Sequence, residues 1–172
     1  MGGRLGYMAL GVCFSHLSLN PPSRPPTHPR GLDDNKLSGA IPTELGQMVN
    51  MASYFWLSSN KISSSIPTQL GLMDKMTSSF SLASNLISSS IPTQLGQLIE
   101  MTRDFHLMWN SLSYAIPTQL GQLVEMTQGF KLMSNKLCSD VPTEVQALSN
   151  QISPGWKVTT GNSIGTVSEV TI

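Results

Sequence analysis

The sequence predicts an α/β, right-handed solenoid, with short parallel strands on a concave sheet and 3₁₀ or coil segments on the convex side. The prediction rests on three marks that recur at a fixed step of 25 residues: an Asn, an Ile-Pro or Val-Pro dipeptide, and a Gly. Stacked repeats bury together an apolar core that no single unit can bury alone. The members are Asn35, Asn60, Asn85, Asn110 and Asn135; Ile41-Pro42, Ile66-Pro67, Ile91-Pro92, Ile116-Pro117 and Val141-Pro142; and Gly46, Gly71, Gly96 and Gly121.

The strand of each unit is indicated by a pair of apolar residues two positions apart. Phe105 and Leu107 form one such pair, and alternate side chains of a strand point to the same face. We therefore expect parallel strands about 4.8 Å apart, centred on this pair and on Phe55/Leu57, Phe80/Leu82 and Phe130/Leu132.

The rest of each unit is expected to turn out of the strand and return on the convex side. Asn110 follows the strand, and its amide can satisfy backbone groups that the turn leaves open. Pro117 keeps the next segment extended and off any central sheet. A short helical or 3₁₀ turn follows, with inward spacing at Leu120, Leu123 and Met126.

The N-terminal end departs from the repeat. Residues 1–31 are expected to be an irregular or disordered lead, because the Pro residues in 20–30 remove the backbone donors that a regular strand needs. Residues 1–19 fit either a weak secretory signal peptide or an irregular N-terminus. The first strand of the array is therefore expected to be damaged.

The C-terminal end is expected to close the core. The solenoid is placed at 32–166 with a cap from about residue 136, and 167–172 form a tail. Trp156 and Val158 repeat the Phe-x-Leu spacing, and Asn162 follows them. Atypical terminal units are expected in repeat proteins, because they must shield the core from water.

The pattern N-x-L-S-x-x-IP-x-x-LG-x-L resembles the plant-type leucine-rich repeat of receptor and defence proteins. The phrases IPTQLGQL, MT-x-x-F-x-L and LCSDVPTEVQALS look closer still to repeat proteins of marine microalgae, diatoms and their relatives. The resemblance covers roughly 32–166, implies a leucine-rich-repeat solenoid, and favours a secreted or cell-surface location. One departure is an extra residue between Met101 and Phe105, which predicts a bulge at the start of the strand.

Composition excludes several classes of function. Charged residues make up 12% of the chain and the formal net charge is zero, so no broad basic footprint for nucleic acid exists. The two cysteines, Cys13 and Cys138, belong to no metal-binding motif, and they are either free or paired with each other. No apolar run is long enough to span a membrane. We expect a monomer without metal or cofactor.

The candidate binding face consists of the residues that lie between the core positions of each strand. Core positions are nearly constant, whereas these positions vary from unit to unit, as on a binding surface or on a solvated surface that drifts neutrally. Exposed aromatic residues favour binding, because they are enriched at interface hot spots. The candidate ligand-binding residues are Tyr54, Trp56, Asp104, His106, Met108, Trp109 and Lys131, beside Ser58, Ser79, Ser81 and Ala83.

The leading interpretation is a non-enzymatic recognition module that binds a protein or peptide on its concave face. His106 lies near Asp104, but no motif places a nucleophile beside them, so no catalytic residue is assigned. If the charge of His106 contributes, binding should depend on pH between about 6 and 7. Two alternatives stay open: an ectodomain fragment of a leucine-rich-repeat receptor, and a periodic-surface binder of polysaccharide, mineral or ice that uses Thr43, Thr68, Thr93, Thr118 and Thr143.

Overall fold

The computed structural model describes residues 32–152 and 155–165. The lead predicted for 1–31, including Cys13 and the signal-peptide alternative, and the tail at 167–172 lie outside the described residues. In the described part, a typical repeat contributes one strand to each of two sheets and then a short 3₁₀ helix. The predicted α/β repeat solenoid is confirmed.

Nine strands occur in the described ranges, and most have four residues. They are β1 (Ser38–Gly39), β2 (Ser53–Trp56), β3 (Lys61–Ser64), β4 (Ser78–Ser81), β5 (Leu86–Ser89), β6 (Arg103–His106), β7 (Ser111–Tyr114), β8 (Gln128–Lys131) and β9 (Lys136–Leu137).

The concave sheet has the strand order β2-β4-β6-β8, and all its pairs are parallel. Phe55 pairs with Phe80, Phe80 with Phe105, and Phe105 with Phe130 in the same register. Their rings stack inside the core with centroids 5.2, 5.6 and 5.4 Å apart. The strand positions predicted from the apolar pairs are therefore confirmed.

A second parallel sheet, in the order β1-β3-β5-β7-β9, occupies the segments that the sequence analysis assigned to extended coil. Its strands are Ser-rich and expose most of their side chains. They therefore lack the alternation of apolar and polar residues from which a strand can be predicted. Backbone groups of stacked units form this sheet, because the fixed repeat length brings identical segments side by side. The prolines that follow lie outside it, as predicted.

The convex side carries short 3₁₀ helices, each of which begins directly after the proline of its unit. Gly71 is buried here, and a Cβ at this position would overlap the backbone carbonyl of Gln94 in the next unit. Glycine thus allows successive helices to approach closely. The helices are Thr43–Gln47, Thr68–Leu72, Thr93–Gln97 and Thr118–Gln122, followed by α1 (Thr143–Ala147) and a further 3₁₀ turn at Leu148–Asn150.

The asparagines join the concave strands to the second sheet. Asn85 Nδ2 donates to the carbonyls of Leu57 and Leu82 at 2.8 and 3.2 Å, and Asn85 Oδ1 accepts from the backbone N–H of Ile62 at 3.0 Å. Asn60, Asn110 and Asn135 make equivalent bonds. Each amide therefore satisfies backbone groups of its own unit and of the preceding one, as the sequence indicated.

The last described residues cover the C-terminal end of the core. Trp156 stacks on Phe130 with a centroid distance of 5.2 Å, and Val158 is buried. Asn162 Oδ1 accepts from the backbone N–H of Leu137, and its Nδ2 donates to the carbonyl of Leu132. Asn162 thus takes the role of the repeated asparagines in this last unit.

Candidate functional site

The concave sheet holds a shallow groove of about 340 Å³ between an aromatic side on β2 and a polar side on β6. The strand between them, β4, carries only small residues on this face, so the larger side chains of its neighbours stand above it. The groove is lined by Asp33, Trp56, Ser58, Ser79, Ser81, Asp104 and His106.

The floor of the groove differs from the sequence expectation. Ser79, Ser81 and Ala83 were expected to face outward as open surface, yet their exposed fractions are 6%, 6% and 3%. Ser79 and Ser81 are buried because their short side chains on β4 lie between longer ones on β2 and β6; Ala83 follows this strand. The sequence therefore overestimated how much of these three side chains is exposed.

A left-handed residue interrupts each concave strand at the same position. Tyr54, Ser79, Asp104 and Gly129 have φ angles of 65°, 61°, 60° and 72°. The flanking residues pair, for example Ser53 with Ser78. The extra residue, from which a bulge was predicted, therefore appears as a backbone kink in each of these four units. Because neighbouring strands carry the kink at the same position, their residues still pair one to one.

The aromatic side of the groove is formed by Trp56 of β2, and Tyr54 of the same strand contacts it from outside the lining. The rings of Tyr54 and Trp56 meet edge to face, with centroids 5.2 Å apart and planes at 84°. Tyr54 is exposed. Trp56 was expected from the sequence to be exposed, but it is half-buried. An edge-to-face contact holds both rings in place, because it pairs the positive edge of one with the negative face of the other.

The polar side contains a buried imidazole nitrogen without a hydrogen-bond partner in the described residues. His106 Nε2 has no such partner, and it lies 3.8 Å from Asp104 Oδ1, which is too long for a hydrogen bond. Burial, and then the positive charge of Lys131, lower the pKa of His106 to about 4, although Asp104 acts in the opposite direction. The imidazole is therefore neutral at pH 6–7, and the pH dependence expected there from the sequence is wrong.

The other predicted site residues surround the groove without lining it. Met108 and Lys131 are half-buried on the same face, and Lys131 follows His106 in the next strand by direct pairing. Trp109 is 52% exposed and lies beyond the strand, in a left-handed turn with φ of 55°. The seven predicted residues therefore divide into three that line the groove and four on its rim or beyond it.

Asp33 lines the groove but was not predicted to do so, because the first unit was expected to be damaged. Leu32 N–H donates to the carbonyl of Trp56 at 2.9 Å, and Asp34 N–H donates to that of Ser58 at 3.1 Å, so this short segment extends the concave sheet. Asp33 lies 25 residues before Ser58. Counting back by one repeat would have placed it on the candidate face.

In residues 32–152 and 155–165, no group of His, Cys, Asp and Glu side chains could hold a metal ion. Over the same ranges, no helix is both long and apolar enough to cross a membrane.

Solved structures share this fold, whereas no protein-family model matches the chain and no curated protein matches it either. The plant peptide hormone receptor RGFR1 in complex with RGF2 is 33% identical over 69% of this chain, with a TM-score of 0.62. The BIR3–SERK2 complex from Arabidopsis thaliana gives 29% over 77%, with a TM-score of 0.65. A plant ice-binding protein gives 23% over 76%, with a TM-score of 0.64. The chain covers 18%, 65% and 40% of these three chains, respectively.

Proposed function

We propose that this leucine-rich-repeat solenoid is a non-enzymatic recognition module that binds an extended peptide or protein segment in its concave groove. The observation that carries the proposal is the groove itself. One unit with only small side chains lies between a unit that presents Trp56 and a unit that presents Asp104 and His106. A ligand there would meet a polar edge together with an aromatic anchor, and Trp is among the residue types enriched at interface hot spots.

Two features of the comparisons support a binding role. The hormone receptor among the similar structures is described in complex with a peptide, and the BIR3–SERK2 structure is a complex of two proteins. The 33% identity to the receptor extends over 69% of this chain, although these residues make up only 18% of the receptor chain. We propose that the present chain recognises its ligand as a monomer.

We also propose, from the resemblance in the repeat phrases, a secreted or cell-surface receptor-like protein of microalgal type. Under this proposal the chain corresponds to part of a receptor ectodomain. Light scattering of the purified chain tests the monomer, and fractionation of the native cells tests the location.

One observation favours the alternative function, a periodic surface that binds polysaccharide, mineral or ice. Thr43, Thr68, Thr93, Thr118 and Thr143 are all exposed and lie in register along the convex side. In every unit, however, the threonine hydroxyl contacts the Gln or Glu side chain that follows it, at 3.2–3.3 Å. These local bonds compete with any ligand. The likeness to an ice-binding protein, at 23% identity, shows the fold alone.

A display library of random dodecapeptides, selected on the immobilised chain, tests the proposal. Selected peptides should bind the native chain and should lose about thirty-fold or more in affinity with Trp56→Ala, the loss that marks an interface hot spot. Thr93→Ala serves as the matched convex variant and should bind as the native chain does.

Two results would contradict the concave site. One is the selection of peptides that bind both variants equally well. The other is loss of binding with Thr93→Ala and not with Trp56→Ala. Ice-crystal shaping by the native chain, abolished by Thr93→Ala, would favour the alternative surface.

A further inference from the structure

We infer that Lys131 and Lys157, side by side on the concave face of the last two described units, form a subsite for an Asp or Glu side chain of the peptide ligand. This inference rests on the proposed function and adds a chemical class for the part of the ligand that extends beyond the groove. It follows from the pairing of two like charges, from the lack of an acidic partner for them in the described residues, and from the open surface around them.

The backbone places the two lysines in one row on the concave face. Lys131 of β8 forms a parallel bridge with Lys157, and the N–H of Leu132 donates to the carbonyl of Lys157 at 2.8 Å. Phe130 and Leu132 are fully buried, so Lys131 between them points outward. Val158, which follows Lys157, is also buried. Lys157 therefore points to the same face as Lys131.

The pair brings two positive charges to directly opposed positions. Like charges at such positions of neighbouring strands are destabilising. The preceding members of the same row are Trp56, Ser81 and His106, none of which is charged at neutral pH. In the described residues, no Asp or Glu oxygen lies within 4.0 Å of either ammonium nitrogen. An anion held between the two lysines would offset their repulsion.

Asp104 lies next to this pair but does not reverse its sign. A Cβ at Gly129 would lie 2.8 Å from Asp104 Oδ1, so this carboxylate lies against β8. Burial lowers the pKa of His106 most, and the charge of Lys131 then lowers it by more than Asp104 raises it. Lys157 lies on the side of β8 away from β6, which carries Asp104. The potential around the lysines therefore favours an anion.

The surface on both sides of the lysines is suited to a ligand side chain. Gly129 and Gly155 carry no side chains, and a Cβ at Gly155 would lie 2.8 Å from the backbone nitrogen of Gly129. A ligand can therefore approach the backbone closely beside the lysines. On the other side, Met108 and Met133 are half-buried and offer an adaptable apolar contact for methylene groups.

The groove and the lysine pair together define a spacing in the ligand. Two lysines at a solvated surface hold a single carboxylate weakly, so a ligand anchored in the groove gains from a high effective concentration at the pair. The strand order places Lys131 three strand spacings, about 14 Å, from Trp56, and Lys157 about 5 Å further. An extended peptide rises about 3.3 Å per residue, so the acidic residue should lie about four to six positions from the residue at Trp56.

The direct experiment uses two peptides of five residues with acetylated and amidated ends. One has three central Glu residues between single Gly residues, and the other has Gln in their place, so only side-chain carboxylates distinguish them. The signals are the backbone amide resonances of Lys131 and Lys157 in the full ¹⁵N-labelled chain. Lys61 and Lys136 are exposed on the second sheet, and their resonances serve as internal controls for non-specific attraction.

The Glu peptide should shift the resonances of Lys131 and Lys157 with a Kd in the millimolar range at about 20 mM salt, and the Gln peptide should give no saturable shift. Lys131→Gln and Lys157→Gln should each weaken binding about three-fold, and the double substitution about ten-fold. The matched variant Lys136→Gln should bind as the native chain does. Equal shifts at Lys61 and Lys136, or no Glu-dependent shift up to about 20 mM peptide, overturn the inference.

The library selection separates this inference from the proposed function. Peptides that require Trp56, carry Asp or Glu at the stated spacing and bind about ten-fold more weakly to the double lysine variant support both. Peptides that require Trp56 and bind the double variant equally well leave the proposed function standing and refute the inference. Peptides that bind the double variant weakly and are insensitive to Trp56→Ala refute the groove and support the lysine subsite. Peptides that are insensitive to all these substitutions refute both.

Discussion

The concave and convex faces of the solenoid are built from the same repeats but differ in how strictly they repeat. On the convex side, the prolines before the four 3₁₀ helices have φ of −63° or −64° and ψ of 133° or 134°. On the concave side, the same backbone presents aromatic residues on β2, small residues on β4 and charged or polar residues on β6.

The physical reason for this difference is the distance between neighbouring backbones. On the convex side, a Cβ at Gly46, Gly71 or Gly96 would overlap a residue of the next unit, so these positions accept almost no residue but glycine. On the concave side, the strands are held by backbone hydrogen bonds and by the phenylalanine stack beneath them. Outward side chains there can change without disturbing the array, which allows a binding face to differ from unit to unit.

The largest effect is expected in the core that both faces share. Phe105→Ala removes the middle of the phenylalanine stack and should lower the free energy of unfolding by roughly 3–5 kcal/mol. Thr118→Ala, at an exposed position on the convex side, should change it by less than about 0.5 kcal/mol. Urea denaturation measures both. Equal effects would show that inside and outside have been misassigned.

The second effect concerns pH and the concave face. The pKa of His106 falls to about 4 in the folded chain from its ordinary value of 6.5. The unfolded chain therefore binds more protons between these two values, and the free energy of unfolding should rise with pH over this window, by at most about 3 kcal/mol. His106→Gln should remove this part of the pH dependence. Urea denaturation at pH 4 and pH 7 measures the difference, and an unchanged slope in the variant would contradict the assignment.

The third effect compares one substitution on each face. Gly96→Ala places a methyl group against the backbone of Gln119 and should destabilise the fold by about 1–3 kcal/mol, as overpacking does. Ser81→Ala, which removes a hydroxyl on the concave floor, should cost less than about 0.5 kcal/mol. Thermal denaturation of the pair measures the contrast. A larger loss for Ser81→Ala would reverse our account of which face can vary.

The smallest effect lies in the second sheet. Tyr114 has φ of 69° and is 65% exposed, so its backbone is in a region that favours glycine. Tyr114→Gly should stabilise the chain by up to about 1 kcal/mol. Ala115→Gly, at a neighbour without a positive φ, should instead destabilise it by up to about 1 kcal/mol. The opposite signs are the test, measured by urea denaturation.

Much of the fold could be predicted from the sequence because the core is repetitive. The Phe-x-Leu pairs placed four strands, and the asparagines were recognised as residues that satisfy open backbone groups. The second sheet could not be predicted in this way, because its Ser-rich strands expose their side chains and carry no apolar alternation. Three of the predicted site residues line the groove; Asp33 was missed because the prolines before it concealed the first unit.

The sequence by itself determined the repeat length, the strand positions and the constant core, because each of these is written several times at the same spacing. Tertiary structure alone decided the second sheet, the depth of the groove and the neutral state of His106. Each depends on what the adjacent unit places alongside: a second Ser-rich segment, larger side chains beside Ser79 and Ser81, or Lys131 beside the imidazole. Such neighbours lie 23 residues apart in the chain within the second sheet and 25 apart in the concave sheet, and their strands are about 4.8 Å apart in space.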